Sequence, residues 1–166
     1  MNMQRIAANL FGAWFQIGRQ FGPETLDAIA GTVSAGEATH RGELRVAIES
    51  RLPFSAVASE VTARDRAAML FAHLRVWDTD DNCGVLLYVL LAEHRIEIVA
   101  DRGIAKAVTA AEWEAITGHM REAFAEGRFR EGVQIGVAEA GALLARHFPA
   151  DGRARENQLP DRPLVL

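Results

Sequence analysis

The chain has 166 residues, of which 49% are hydrophobic and 24% are charged, so its composition is that of one soluble globular domain. The formal net charge is −4, and the basic residues are spread along the chain. Because nucleic-acid-binding proteins normally carry a basic face, this charge argues against nucleic acid as a partner. The single cysteine, Cys83, can form no internal disulfide and cannot alone supply a thiolate metal site.

Residues 1–22 form an apolar segment that polar residues interrupt. Asn9, Gln16 and Arg19 leave no run of about 20 apolar residues, and no signal-peptide cleavage pattern is present, so neither a transmembrane helix nor an export signal is predicted. Two interpretations stay open: a first helix docked on the domain, or an amphipathic segment that contacts a membrane or a partner through residues 1–21. The expected location is cytoplasmic or peripheral to a membrane.

Residues 23–148 alternate between helical and strand patterns and are interpreted as the folded domain. Pro23 at a first helical position and capping boxes that begin at Thr62 and Thr109 mark three helix starts. Strand periodicity or a continuous apolar run marks the strands. The predicted elements in chain order are a helix over 23–38, a strand over 43–49, a helix over 63–75, strands over 85–91 and 95–100, and helices over 110–126 and 130–147.

The order of these elements predicts an α/β fold. The strands over 43–49 and 85–91 are joined through a crossover helix, so they are predicted to be parallel, and the strand over 95–100 returns as an antiparallel hairpin. Helices on both faces of this small mixed sheet give a three-layer α/β/α sandwich. The polar, proline-containing tail over 149–166 is expected to be flexible and mostly disordered.

The densest set of oxygen ligands in the sequence lies just before the second strand. It consists of Asp78, Asp80, Asp81 and Asn82. The hairpin brings Asp101, at the end of the third strand, to the same edge of the sheet, and a parallel first strand brings Arg41 and Glu43 there as well. Crowded carboxylates favour a bound cation, and carboxylates with an amide suit Ca²⁺. The alternative is a solvated turn closed by side-chain hydrogen bonds.

Familiar catalytic and metal-binding templates do not fit this loop. An EF-hand would need glycine where Cys83 stands and glutamate where Val89 stands. A cysteine phosphatase needs an arginine six residues after its nucleophile, and Val89 occupies that place too. A further hypothesis is an anion site in which Arg102, Lys106 and the N-terminus of the 110–126 helix hold a phosphate, with Arg41 nearby. The alternative for these cations is ordinary solvation.

Several segments in combination resemble the TPM domain family. They are His40-Arg-Gly-Glu-Leu-Arg-Val, Leu74-Arg-Val-Trp-Asp-Thr, Asn82-Cys-Gly-Val-Leu-Leu-Tyr, Ile96-Glu-Ile-Val-Ala-Asp-Arg-Gly and Phe124-x-x-Gly-x-Phe-x-x-Gly-Val. The resemblance covers about residues 24–148. The family includes thylakoid-lumen proteins of photosystem II repair and bacterial proteins that are often membrane-anchored. Membership would imply an α/β/α domain, calcium binding as in some members, and the weak phosphatase activity reported for a plant member.

The resemblance also implies a set of candidate metal ligands in this chain. They are Asp78, Asp80, Asp81, Asn82 and Asp101. The chain departs from the family pattern where Asp101-Arg-Gly-Ile replaces the usual second glycine after the third strand. The expected function is that of an accessory domain that binds a divalent cation, Ca²⁺, and acts through a protein partner. The alternatives are a weak metal-assisted acid phosphatase that holds phosphate with Arg102, and a purely structural interaction module.

Overall fold

The computed structural model describes residues 3–11, 14–152 and 157–166 of the chain. The elements in chain order are α1 (Met3–Phe11), α2 (Trp14–Gln20), α3 (Pro23–Glu37), β1 (Glu43–Glu49), α4 (Phe54–Ala58), α5 (Ala63–His73), β2 (Gly84–Leu90), β3 (Arg95–Ala100), α6 (Arg102–Ala107), α7 (Ala110–Ala125), α8 (Phe129–His147) and β4 (Leu164–Val165). The parts of the predicted N-terminal segment and tail that fall on residues 1–2, 12–13 and 153–156 lie outside the described residues.

The strands form one mixed sheet in the order β3-β2-β1-β4. β1 and β2 are parallel, with Glu43 opposite Gly84, and β2 and β3 form an antiparallel hairpin in which Val85 faces Ala100. The predicted parallel pair and the predicted hairpin are both confirmed. The first residues of β1 and β2 and the last residue of β3 therefore lie at one edge of the sheet.

Helices cover both faces of the sheet, which confirms the predicted three-layer α/β/α arrangement. On one face, α3, α7 and α8 enclose the larger core, to which the strands contribute side chains such as Val46, Leu87 and Ile98. On the other face, α4 and α5 pack over a smaller core that contains Leu86 and Tyr88. Because successive strand residues point to opposite faces, the apolar run of β2 supplies both cores at once.

Two predicted capping boxes fix the starts of long helices. The Thr62 hydroxyl accepts from the Asp65 N–H at 3.1 Å, and the Asp65 carboxylate accepts from the Thr62 N–H at 2.9 Å, at the start of α5. Thr109 and Glu112 make the same exchange at the start of α7. Each box satisfies backbone donors that a helix leaves unpaired, which is typically worth about 1 kcal/mol.

The prediction of a disordered tail is wrong for residues 157–166. β4 adds to β1 as a parallel strand, with Leu164 opposite Ala47, and Leu159 is buried in the smaller core. The physical cause is Arg45, a buried residue whose guanidinium donates to the carbonyl oxygens of Pro160 and Arg162. A buried cation needs acceptors, and the tail backbone supplies them.

Candidate functional site

Gly84, the first residue of β2, contacts several other residues of the predicted edge of the sheet. Glu43 lies opposite Gly84 in the ladder, and the Asp101 N–H donates to the Gly84 carbonyl at 2.8 Å. A Cβ at position 84 would lie 1.8 Å from the carbonyl oxygen of Val76, so only glycine fits there. The loop that carries the acidic residues is thus held against the sheet where β2 begins.

The acidic loop over 78–82 is closed by a backbone turn. The Asn82 N–H donates to the Thr79 carbonyl at 3.2 Å, and the Cys83 N–H donates to the Thr79 hydroxyl at 3.2 Å. Asn82 has a φ of +52°, a left-handed conformation that asparagine tolerates better than most residues. The Gly103 N–H donates to the Asn82 carbonyl at 2.8 Å, and a Cβ on Gly103 would lie 2.4 Å from that oxygen. The loop is therefore fastened to the first turn of α6.

Two arginines form hydrogen bonds with polar side chains of this loop. Arg41 Nη1 lies 3.2 Å from both carboxylate oxygens of Asp81. Arg102 donates to Asn82 Oδ1 from Nε at 2.9 Å and from Nη2 at 2.6 Å. Each of these contacts is partly exposed, so each contributes at most about 1 kcal/mol to stability. As positioned, the His, Cys, Asp and Glu side chains of the described residues include no group of three or more that could hold a metal ion.

Asp101 is the one predicted ligand that the fold buries, with 8% of its surface exposed. Its Oδ1 caps α6 by accepting from the Arg102 N–H at 2.7 Å, whereas its Oδ2 is buried with no hydrogen-bond partner among the described residues. Leaving a buried polar atom unpaired costs roughly 1–3 kcal/mol, so such atoms are rare in folded proteins. A hard cation would satisfy a carboxylate oxygen in this position.

Glu43 lies at the edge as predicted, but its carboxylate holds the C-terminal segment. It accepts from the backbone N–H groups of Gln158 at 3.3 Å and Leu159 at 3.2 Å. The Gln158 side chain in turn accepts from the Asp80 N–H at 3.4 Å. Burial raises the pKa of Glu43, and the nearby carboxylates of Asp161 and Asp80 act in the same direction. The C-terminal segment thus closes one side of the acidic loop.

Glu37, at the end of α3, was missed in the sequence. Burial, followed by the nearby charges of Asp161 and Glu43, raises the pKa of Glu37 to about 8. Its Oε1 is buried without a hydrogen-bond partner among the described residues. The only signal in the sequence was a glutamate at a helix end, because Asp161 belongs to the segment that was predicted to be disordered.

Except for Lys106, the groups of the anion hypothesis are engaged in other interactions. Arg41 and Arg102 are bound to the acidic loop, and the Glu112 carboxylate occupies the first turn of α7. Hydrogen bonds from Thr109 and Arg146 lower the pKa of Glu112 to about 2, which keeps this carboxylate ionised where an anion would bind. The Cys83 thiol is buried and contacts the Arg41 carbonyl at 3.6 Å, so this thiol is not accessible to a substrate in solution.

A second polar cluster lies towards the other end of β1 and β2, inside the smaller core. Glu49 accepts from Arg66 at 2.9 and 2.8 Å and from the Tyr88 hydroxyl at 2.7 Å. Burial and the Glu49 carboxylate together raise the pKa of Tyr88, so its hydroxyl stays a donor. Every polar group of this cluster has a partner, and its role is structural.

The comparisons with known proteins agree with this architecture. Residues 19–143 match the model of the TPM domain family. The chain is also similar to the BA42 protein from the psychrophilic bacterium Bizionia argentinensis, with 27% identity and a TM-score of 0.75 over 86% of this chain and 92% of that one. No curated protein sequence matches the chain. Within the described residues, none of the helices is long and apolar enough to cross a membrane.

Proposed function

The chain belongs to the TPM domain family, and we propose that it is an accessory domain that binds a divalent cation and acts through a protein partner. The cation site lies at the edge of the sheet formed by the acidic loop and Asp101. Ca²⁺ fits the available donors best, because they are carboxylate, amide and carbonyl oxygens without a thiolate or an imidazole.

The observation that carries this proposal is the Oδ2 of Asp101, which has no hydrogen-bond partner in the part of the chain that the structure describes. It is a carboxylate oxygen, withdrawn from water, next to a loop with three further carboxylates. Asp101 anchors the cation in this account, and the remaining ligands come from the loop. The candidates are Asp78, Asp80, Asp81 and Asn82.

Cation binding competes with the arginines that now hold the loop. A cation that takes Asp81 and Asn82 as ligands must replace the guanidinium groups of Arg41 and Arg102. Since both contacts are partly exposed, this exchange costs little. The two guanidinium groups would then leave the loop. A partner protein would meet a different surface in the presence of the cation than in its absence.

The same proposal includes a contact with a membrane or a partner through residues 1–21. α1 docks on the domain through Asn9, whose side chain accepts from the Leu52 N–H and donates to Glu93. It nevertheless leaves Met3 74% exposed and Leu10 46% exposed, and Leu10 shares a groove with the exposed Phe54. Exposed apolar side chains beside each other are typical of an interaction surface.

Calorimetry with Ca²⁺ tests the cation site. Asp78 is exposed, so Asp78→Ala should leave the fold intact while it removes one ligand and weakens binding by about tenfold or more. Glu114→Gln, a charge change at an exposed residue of α7 away from the edge, is the matched control and should bind as the wild type does. Wild-type protein that releases no heat with Ca²⁺ would overturn the cation claim.

A further inference from the structure

β3 is an outermost strand of the sheet, and its free side faces a groove. Two adjoining cavities, of about 430 and 380 Å³, run along it and share the wall residues His94, Arg95, Ile96 and Arg121. The opposite wall is α7. We call the combined cavity the β3 groove.

The backbone of β3 has hydrogen-bonding groups on its outer side that pair with no other strand of the described sheet. In an antiparallel ladder, residue pairs alternate between those that exchange both hydrogen bonds and those that exchange none. Since Asp101 donates to Gly84, the alternation makes Val99 and Glu97 face β2 with their polar groups. The N–H and C=O groups of Ile96 and Ile98 therefore point outward, where another strand could pair with them.

Arg64 of α5 shows what such a strand would supply. Its guanidinium donates to the carbonyl oxygen of Ile98, in the place that the N–H of an added strand would take. The Arg64 side chain is long and exposed, so a backbone N–H can replace its guanidinium at the Ile98 carbonyl with little loss of free energy. This contact also supports the outward direction of the Ile98 carbonyl.

The α7 wall presents a row of side chains along the β3 groove. Trp113, Thr117, Arg121 and Phe124 recur at helical spacing and all line the groove. At one end the Phe124 and Phe129 rings, 5.0 Å apart, form an apolar pocket. A strand bound to β3 would place alternate side chains against this wall.

The charges of the groove favour an acidic chain. Arg95 lies 3.4 Å from Glu97 and Arg64 lies 3.9 Å from the same carboxylate, so two cations share one anion. Arg121 has no ion-pair or hydrogen-bond partner among the residues that the structure describes. An acidic side chain of a bound segment would pair with it.

We propose that the β3 groove binds an extended peptide segment of a partner protein, which adds a strand to β3 and places an acidic side chain beside Arg121 and an apolar one near Phe124. This inference names the class of partner for the accessory role proposed above. It does not depend on cation binding, so the two can fail separately.

The test uses a synthetic hexapeptide of alternating valine and polar residues with one aspartate, and a matched peptide with lysine in its place. Both are titrated into the full chain with a chelator present, so that the outcome is independent of Ca²⁺. The aspartate peptide should slow amide hydrogen exchange at Ile96 and Ile98, and methylating its backbone nitrogens should abolish the effect. Arg121→Glu should weaken the aspartate peptide about tenfold and favour the lysine peptide.

Arg130→Glu, at an exposed residue of α8 outside the β3 groove, is the charge-matched control and should change neither affinity. Equal binding of the two peptides, or unchanged exchange at Ile96 and Ile98 with millimolar peptide, would overturn the proposal. Exchange that slows with protein concentration alone would show that a second copy of this chain pairs with β3, and this result would overturn the proposal as well.

Discussion

Towards the carboxyl ends of β1 and β2, Glu49, Arg66 and Tyr88 satisfy one another inside the smaller core. At the amino ends of the same strands, Asp101 keeps a buried oxygen without a partner among the described residues, and partly exposed arginines hold the acidic loop. Both clusters are charged and close to the sheet. The two clusters differ in whether their buried polar groups have hydrogen-bond partners. A cluster in which every donor has an acceptor stabilises the fold, whereas a cluster with an unpaired carboxylate oxygen can still bind a ligand.

Breaking the buried cluster should give the largest effect. Glu49→Ala leaves the Arg66 charge and the Tyr88 hydroxyl without their acceptor, so the free energy of unfolding should fall by about 3–5 kcal/mol. Urea denaturation measures this loss. Glu114→Ala on the exposed face of α7 is the control, with an expected change within about 0.5 kcal/mol. A loss below 1 kcal/mol for Glu49→Ala would mean that this cluster does not stabilise the fold.

A smaller effect should appear at Glu37, near the amino end of β1. Its pKa is raised to about 8 in the folded chain, so folding binds a proton that the unfolded chain has released. This contribution is fully present below the ordinary glutamate pKa of 4.5 and is lost as pH rises towards 8.

Glu37→Gln cannot ionise and should remove that pH dependence. At pH 8 we expect the variant to be more stable than the wild type by about 1–2 kcal/mol, a figure reduced for the partial exposure of the site. The difference should shrink towards pH 4, and denaturation curves over this range measure it. A difference that stays constant with pH would show that Glu37 ionises normally in the folded chain.

Local patterns explain what could be predicted from the sequence. Capping boxes, strand alternation and the rule for crossover connections are encoded within a few residues of each other, and they gave the parallel pair, the hairpin and the shared edge. The convergence of Asp101 with the acidic loop follows from that topology alone.

What could not be predicted depends on contacts between distant residues. Arg45 and Glu43 hold the tail through contacts with residues more than 110 positions away in the sequence. No local pattern in the proline-containing tail predicts these contacts. The short helix α6 was missed because its start depends on the Asp101 cap and on the close approach of Gly103 to Asn82. Side-chain pairing, such as that of Arg102 with Asn82, is likewise set by geometry that the sequence does not display.

In the proposed site, a bound cation is the partner of the buried Oδ2 of Asp101. Nuclear magnetic resonance of ¹³C-labelled aspartate carboxyl groups during a Ca²⁺ titration measures this contact. Asp101→Asn assigns the signal, because asparagine preserves the helix cap. We predict that the Asp101 carboxyl resonance shifts up to one equivalent of Ca²⁺ and returns on chelation, while that of Asp65 in the α5 capping box stays in place. An Asp101 resonance that does not move, or that moves only as all aspartates do, would show that Asp101 binds no Ca²⁺.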